Sequence, residues 1–230
     1  MTASPGQSVL PFVHAANYGP DFLAAPSNAA ALAWLERSAD WPLLRLALSG
    51  AGGCGKTHLL HLWAGRYGAD VIAGSALRSG FVTAPLAIDD VDGSDEHALL
   101  HTINSAGEAR LPVLLAAREP PSRWRVSLPD LASRLRATVT VAIEAPEDSL
   151  LRALLAKLLA ERGLAVPEPA QSLLLLHLPR TAAAVREAAS QFDETFGERP
   201  MRAARSVLQQ MGALGSRVHC NASPKRAALP

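Results

Sequence analysis

Residues 49–60, SGAGGCGKTHLL, are the stretch that decides the fold. Within it, Gly50, Gly55, Lys56 and Thr57 match the pattern G-x-x-x-x-G-K-[ST], with an apolar run before it and a helical pattern after it. In that setting glycines let backbone amides turn toward a phosphate, the lysine reaches the outer phosphates, and the threonine hydroxyl faces Mg²⁺. The stretch therefore predicts a phosphate loop that binds ATP or ADP with Mg²⁺. The residues predicted to contact the nucleotide are Gly50, Ala51, Gly52, Gly53, Cys54, Gly55, Lys56, Thr57 and His58.

The same glycines also allow a dinucleotide site, because Gly50, Gly52 and Gly55 satisfy G-x-G-x-x-G. A dinucleotide fold needs an acidic residue at the end of its second strand, whereas Asp70 lies at the start of that predicted strand. It would also leave Lys56 without a role. The phosphate loop is therefore the favoured interpretation.

Strand-like and helix-like segments alternate around the loop. The predicted strands cover 43–49, 70–73, 85–90, 111–117 and 138–144. The predicted helices between them cover 29–37, where Ser27 and Asn28 are candidate caps, 56–67 and 95–106. This alternation predicts an α/β fold, a parallel five-stranded sheet flanked by helices.

The pattern changes after Pro146. Leucine pairs repeat at helical spacing from Leu150 to Leu159, and Gly163 follows as a candidate C-cap. Three more helices are predicted at about 168–178, 181–195 and 201–211, with no strand between them. We therefore predict a flexible arm at 1–20, a nucleotide-binding domain at 21–145, an all-α lid domain at 146–212 and a disordered tail at 213–230.

Two adjacent carboxylates end the third predicted strand. The run from Leu86 to Ile88 is apolar, and Asp89 and Asp90 follow it, which is the pattern of a Walker B element. Asp89 is predicted to hold Mg²⁺ together with Thr57, and Asp90 to orient the attacking water. The alternative is an ordinary acidic turn, since more acids follow closely; with a phosphate loop upstream we favour the metal-binding interpretation.

Three arginines are candidates for neutralising charge on a transferred phosphoryl group. Arg134 lies between the fourth and fifth predicted strands, where it could reach the nucleotide of a neighbouring molecule. Arg186 lies in a predicted lid helix and could contact the phosphates. Arg118 directly follows the fourth strand. For each of them the alternative is a surface salt bridge.

The composition is that of an ordinary soluble protein. With 49% hydrophobic residues, 19% charged residues and a formal net charge of +1, nothing points to nucleic acid as the main ligand. Apolar runs are far shorter than the roughly 20 residues of a membrane span, and the first residues do not resemble a signal peptide. The two cysteines, Cys54 and Cys220, fit a reducing compartment. We expect a cytoplasmic protein.

Two pairs of histidines have metal-ligand spacing, His58 with His61 and His97 with His101. Without a third ligand for either pair, we do not expect metal sites there.

Several segments together resemble the AAA+ domain of the bacterial replication initiator DnaA. They are PSN at 26–28, GAGGCGKTHLLH at 50–61, AIDD at 87–90, LPDLASRL at 128–135 and AVREA at 184–188. The resemblance covers roughly residues 21–212 and implies an AAA+ fold. DnaA has a carboxyl-terminal DNA-binding domain, for which the short polar tail here leaves no room, so the chain looks more like the Hda-like, DnaA-homologous regulators.

The arm extends this resemblance. Residues 7–12, QSVLPF, match Q-x-x-L-x-F through Gln7, Leu10 and Phe12, which is similar to the motif that binds the replicative sliding clamp, the beta subunit of DNA polymerase III. The resemblance implies a protein that, on a DNA-loaded clamp, inserts Arg134 into the ATP site of DnaA and stimulates hydrolysis. DNA would be contacted only through the clamp, near the nucleoid and replisome, and homo-oligomerisation stays open.

One departure concerns catalysis by the chain itself. Where the DnaA family has a polar sensor after the fourth strand, this chain has Ala116, Ala117, Arg118 and Glu119. We therefore expect weak ATPase activity at most and a bound nucleotide that acts as a switch. The resemblance implies that ADP gives the active form. The alternatives are an ATP-driven remodeller similar to helicase loaders, which would bind single-stranded DNA, and an adaptor without effect on DnaA.

Overall fold

The structure is a computed structural model that describes residues 22–194 and 199–213. Its contacts divide the chain into two units. The first runs to Leu154 and includes Arg180–Ala184, and the second comprises Leu155–Pro179 and the residues from Val185 on. The predicted domain limits at 145 and 212 stay predictions, and the clamp motif at 7–12 lies outside the described residues.

A five-stranded parallel sheet forms the centre of the first unit, as predicted. The strands are β1 (Arg45–Ser49), β2 (Asp70–Ala73), β3 (Leu86–Asp89), β4 (Val113–Ala117) and β5 (Val139–Ala142). Their order is β2-β3-β4-β1-β5. In a dinucleotide fold the first strand lies between the second and the fourth, whereas here β1 pairs with β4 and β5. The strand order therefore argues against the dinucleotide alternative.

Helices cover both faces of this sheet. They are α1 (Pro26–Leu35), α2 (Lys56–Tyr67), α3 (Glu96–Ala109) and α4 (Pro129–Arg136). Side chains alternate along β1, so Leu46 and Leu48 pack with α1 and α2, while Ala47 packs on the other face with α3 and α4. The rings of Trp41 and Trp63 stack at 5.3 Å between centroids within the first of these cores. The strands are thus held between two apolar layers.

Three local predictions about the first unit were wrong. The first helix begins at Pro26, not at residue 29, because proline suits the first helical turn and the Asn28 Oδ1 accepts from the Ala25 amide at 2.9 Å. The strand predicted at 43–49 begins at Arg45, since Leu43 and Leu44 adopt φ of 54° and 52°. Helix α4 was not predicted as a helix at all.

The described residues of the second unit form helices joined by loops. The unit contains α6 (Glu168–His177), α8 (Pro200–Gln210), the second half of α5 (Asp148–Glu161) and most of α7 (Ala182–Glu194). The predicted helices lie within a few residues of these bounds. The largest of the unit's buried apolar side chains are Leu155, Leu159, Leu174, Leu178, Phe192 and Leu208. Among the described residues, no helix combines the length and the hydropathy needed to cross a bilayer.

Candidate nucleotide-binding site

The loop of residues 50–55 joins β1 to α2 at the carboxyl edge of the sheet. The Gly50 amide donates to the Arg118 carbonyl at 3.2 Å, and a Cβ on Gly50 would lie 2.5 Å from the Ile143 carbonyl oxygen. No residue with a side chain fits there without moving the backbone. Gly55 has φ of 107°, which favours glycine, and it leads directly into α2. The glycine pattern is therefore required by the local backbone.

Lys56 is folded onto the loop. Its Nζ donates to the carbonyl oxygens of Gly50 at 2.7 Å and Ala51 at 3.0 Å, and the residue is only 7% exposed. The free amide groups of the first helical turn of α2 give this end of the helix positive potential. A buried ammonium group at a helix N-terminus fits an anionic ligand such as the phosphates of a nucleotide.

Thr57 and Asp89 meet across the sheet edge. The Thr57 hydroxyl donates to Asp89 Oδ2 at 2.7 Å, and the Asp90 amide donates to Asp89 Oδ1 at 3.0 Å. A hydroxyl and a carboxylate oxygen in contact fit Mg²⁺, which binds oxygen ligands. Asp90 is exposed and has φ of 46°, so the backbone turns away from the strand direction at this residue. The phosphate loop and the predicted Walker B element are thus brought together.

The end of β4 carries no polar side chain. Ala116 and Ala117 are buried, at 0% and 2% exposed. Arg118 follows with an exposed side chain, and its contact with the loop is made by its carbonyl oxygen. Methyl groups cannot orient a water molecule or a phosphate by hydrogen bonding. This edge of the site therefore contributes shape and backbone contacts.

Two contacts of the loop region were not predicted from the sequence. The Phe22 ring stacks on His58 with 5.6 Å between centroids and 15° between planes. The Ala182 amide, at the start of α7, donates to the Gly53 carbonyl at 3.2 Å, and a Cβ on Gly53 would lie 2.9 Å from Thr181. Both involve partners more than 30 residues apart, and neither has a local sequence signal.

Arg134 lies beside the amino ends of β1 and β5, whereas the phosphate loop follows the carboxyl end of β1. Arg134 is in the last turn of α4, and its carbonyl accepts from the Thr138 hydroxyl at 2.9 Å just before β5 begins. Its side chain is 37% exposed and pairs with Asp130 at 3.3 Å. Arg186 lies on α7 in the second unit, and its contact with the phosphates stays a prediction. The structure thus groups Lys56 and Asp89 but not Arg134.

Glu96 connects the Walker B side of the site to the helix that carries Arg134. Its carboxylate accepts from the Ser127 amide at 2.9 and 3.0 Å and from the Leu128 amide at 2.9 Å, at the start of α4. These hydrogen bonds, that of Ser127 first, lower the pKa of the Glu96 carboxyl below its ordinary value of 4.5. The charged carboxylate therefore stabilises the beginning of α4.

The contribution of Glu96 to stability is predicted to depend on pH. Because its pKa is lower in the folded state, the contribution is complete above pH 4.5 and is lost as the pH falls through the lowered pKa. Glu96→Gln keeps an acceptor oxygen but loses the charge. We expect urea unfolding to find the variant less stable than the wild type at neutral pH and equally stable in acid. Glu108→Gln, on the same helix, is the matched control. An equal difference at both pH values would contradict this assignment.

Among the described residues, no group of three or more His, Cys, Asp or Glu side chains forms a metal-binding cluster. His101 instead meets the exposed ring of Phe81 edge-on, at 6.2 Å between centroids. The oxygen pair of Thr57 and Asp89 would need further ligands to hold Mg²⁺, such as the phosphates of a nucleotide and water.

Comparison with solved structures identifies the fold. Domain III of the replication initiation protein DnaA from Thermotoga maritima superposes with a TM-score of 0.69 and 18% identity over 83% of this chain and 94% of that one. A DnaA bound to AMPPCP and single-stranded DNA gives 0.66 and 16% identity over 83% and 69%. A variant of RuvB from Thermotoga maritima gives 0.60 and 15% identity over 81% and 69%. No protein-family model and no curated protein sequence matches the chain. The chain has the AAA+ P-loop fold, similar to that of DnaA and RuvB.

Proposed function

We propose that the protein regulates the initiation of chromosome replication by stimulating ATP hydrolysis on DnaA, which inactivates the initiator. The observation that carries this proposal is the position of Arg134. It lies near the amino end of β1, whereas the phosphate loop follows the carboxyl end of the same strand. Roughly 13 Å of strand separate these ends. This separation argues against a role for Arg134 at the chain's own phosphate loop and supports the proposal that it acts on a nucleotide bound to another molecule.

An arginine supplied by one molecule to the ATP site of another neutralises the charge that develops on the transferred phosphoryl group. DnaA is the proposed recipient because the chain has the DnaA fold and because LPDLASRL, which contains Arg134, is among the segments that resemble the DnaA family. In the proposed complex, the Arg134 end of this protein's sheet lies against the nucleotide site of DnaA.

The protein's own nucleotide is proposed to act as a switch. Lys56, Thr57 and Asp89 form an adenine-nucleotide site with Mg²⁺, and one structural neighbour is a DnaA bound to AMPPCP. The buried alanines at the end of β4 offer no polar group for hydrolysis, which supports weak turnover. ADP is proposed as the nucleotide of the active form because the resemblance to the DnaA-homologous regulators implies it. Arg186 is proposed to contact the phosphates from α7.

The arm is proposed to tether the protein to the sliding clamp. Leu10 and Phe12 would fill an apolar pocket, contributing about 1.5 to 3 kcal/mol each if fully buried, and Gln7 would set the polar register. Tethering raises the effective concentration near DNA, so two weak contacts, with the clamp and with DnaA, act together. This explains how a regulator can depend on DNA without reading it.

The proposal is tested by following hydrolysis of ATP preloaded on DnaA, with this protein, on DNA with and without a loaded clamp. We expect the wild type to accelerate hydrolysis when the clamp is present. The triple variant Gln7→Ala, Leu10→Ala, Phe12→Ala should lose this acceleration at low concentration and recover it at high concentration, because only the tether is removed. Equal rates with and without the clamp would contradict clamp dependence; no acceleration at any concentration would contradict the function.

A helicase-loader-like remodeller that binds single-stranded DNA is the second candidate. The observation that favours it is Phe81, whose ring is 88% exposed beside His101, since exposed aromatic rings can stack on bases. One structural neighbour is a DnaA bound to single-stranded DNA. ATP turnover by the isolated protein that rises strongly with single-stranded DNA, and falls in Phe81→Ala, would favour this candidate over the regulator.

A further inference from the structure

Arg45 is a buried charge at the amino end of an inner strand of the sheet. It is the first residue of β1, between β4 and β5, and only 7% of it is exposed. Alternation along the strand places its side chain on the same face as Ala47, the face covered by α3 and α4. A guanidinium group is strongly hydrated in water, so a buried position is costly unless an acid accompanies it.

No such acid is found among the described residues. The Arg45 Nε is buried and has no hydrogen-bond partner, and no carboxylate in the described part of the chain pairs with the group. Burial, and after it the charge of Arg134, lowers the pKa of the Arg45 guanidinium. A buried polar group kept without a partner is a candidate for a functional role.

The β1–β5 pairing brings Arg45 and Arg134 together. Leu46 is opposite Val139, so Arg45 is beside Thr138, whose hydroxyl donates to the Arg134 carbonyl at 2.9 Å. The Arg134 Nε is also buried without a hydrogen-bond partner. Among the described residues, its ion-pair partner is the exposed Asp130, in an i,i+4 contact of the kind that contributes little.

We propose that Arg45 is a positioning residue for Arg134: the buried guanidinium repels that of Arg134, holds it outward, and strengthens its attraction for a phosphate brought by a partner. This inference rests on the proposed function, because it assigns Arg134 a phosphate of another molecule as ligand. Two cations at the amino end of β1 raise the positive potential that an incoming anion encounters. The acid paired with Arg134 there is the exposed Asp130, whose i,i+4 contact offsets this potential only in part. The unfavourable free energy of burying the Arg45 charge near Arg134 is partly offset when an anion binds, which increases the affinity for that anion.

This role has a signature that a packing role lacks. Arg45→Met has a similar side-chain length and removes the buried charge, so the fold should become equally or more stable while the action of Arg134 weakens. If Arg45 only packed against its neighbours, stability and activity would fall together. Arg45→Lys keeps a positive charge and should restore most of the activity.

The test compares the wild type, Arg45→Met, Arg45→Lys and Arg110→Met in the full chain. Arg110→Met is the matched control, because it removes an exposed arginine three residues before β4 begins. In the DnaA assay we expect Arg45→Met to lower the maximal stimulated rate about tenfold, equivalent to roughly 1.4 kcal/mol in the barrier. Its melting temperature should match or exceed that of the wild type, and Arg110→Met should stimulate normally.

A second measurement uses this protein alone. With ADP filling the phosphate loop, inorganic phosphate is titrated while the Nε–Hε NMR resonance of Arg134, assigned with Arg134→Lys, is followed. Arg45→Met should bind phosphate at Arg134 several-fold more weakly than the wild type. Unchanged phosphate affinity would overturn the proposal, as would a melting temperature that falls with the rate and is not rescued by lysine. If the wild type fails to stimulate DnaA, the regulatory function is wrong, and the titration still decides on Arg45.

Discussion

Replacing Arg134 by alanine is expected to abolish the stimulation of ATP hydrolysis on DnaA, lowering the stimulated rate by about 10³-fold or more. Arginines supplied in trans contribute roughly 10³ to 10⁵ in rate in well-studied GTPases, because their fork-shaped charge matches the transferred phosphoryl oxygens. Arg134 is 37% exposed and has one exposed acid partner, so little holds it back from such a ligand. The measurement is hydrolysis of ATP preloaded on DnaA in the presence of clamp-loaded DNA.

The fold should tolerate this substitution. The exposed pair with Asp130 contributes about 0.3 to 0.5 kcal/mol, so the melting temperature should change little while the rate collapses. Arg136→Ala is the matched control, because it removes an exposed arginine from the same turn of α4 and should leave stimulation nearly intact. Arg134→Lys should retain only part of the rate, since an ammonium lacks the bidentate fork. An Arg134→Ala protein as active as the wild type would refute the assignment.

The sheet could be predicted because its signals are local. Apolar runs such as those of β1 and β4 stand between helices, and the phosphate loop fixes where β1 ends and α2 begins. Helix α4 was missed because it has only eight residues and starts at a proline, leaving Leu131 and Leu135 as its single apolar pair. A short helix of this kind is defined by what it packs against.

The candidate site was predictable where its geometry is set by one motif. Lys56 and Thr57 follow the glycines directly, so their roles could be assigned before the fold was known. Glu96 could not be assigned, because its partners lie 31 and 32 residues away across a loop. The sequence predicts only that Arg45 belongs to a buried strand, because its environment depends on the pairing of β1 with β5. Long-range contacts of this kind determine the environments of Glu96 and Arg45, so the local sequence does not predict them.

Replacing Lys56 by methionine is expected to abolish the thermal stabilisation by ADP and Mg²⁺. A ligand at 100 times its Kd stabilises a protein by about 2.7 kcal/mol, which raises the melting temperature by roughly 5 to 10 °C for a chain of this size. Lys56 provides the charge for the outer phosphates and holds the loop through the carbonyls of Gly50 and Ala51. Methionine keeps most of the apolar stem and loses both contacts. Differential scanning fluorimetry with increasing ADP measures the effect.

The Lys56→Met variant tests whether a bound nucleotide controls the action of Arg134 or whether the phosphate loop has no part in that action. Lys157→Met is the matched control, since it removes a lysine of the second unit that pairs with Glu161 at 3.4 Å, and it should keep the full shift with ADP. If Lys56→Met loses both the shift and the stimulation of DnaA, the bound nucleotide is needed for Arg134 to act. If it loses the shift alone, Arg134 works without a nucleotide and the switch is contradicted. A wild-type melting temperature that ADP does not change would contradict the nucleotide site itself.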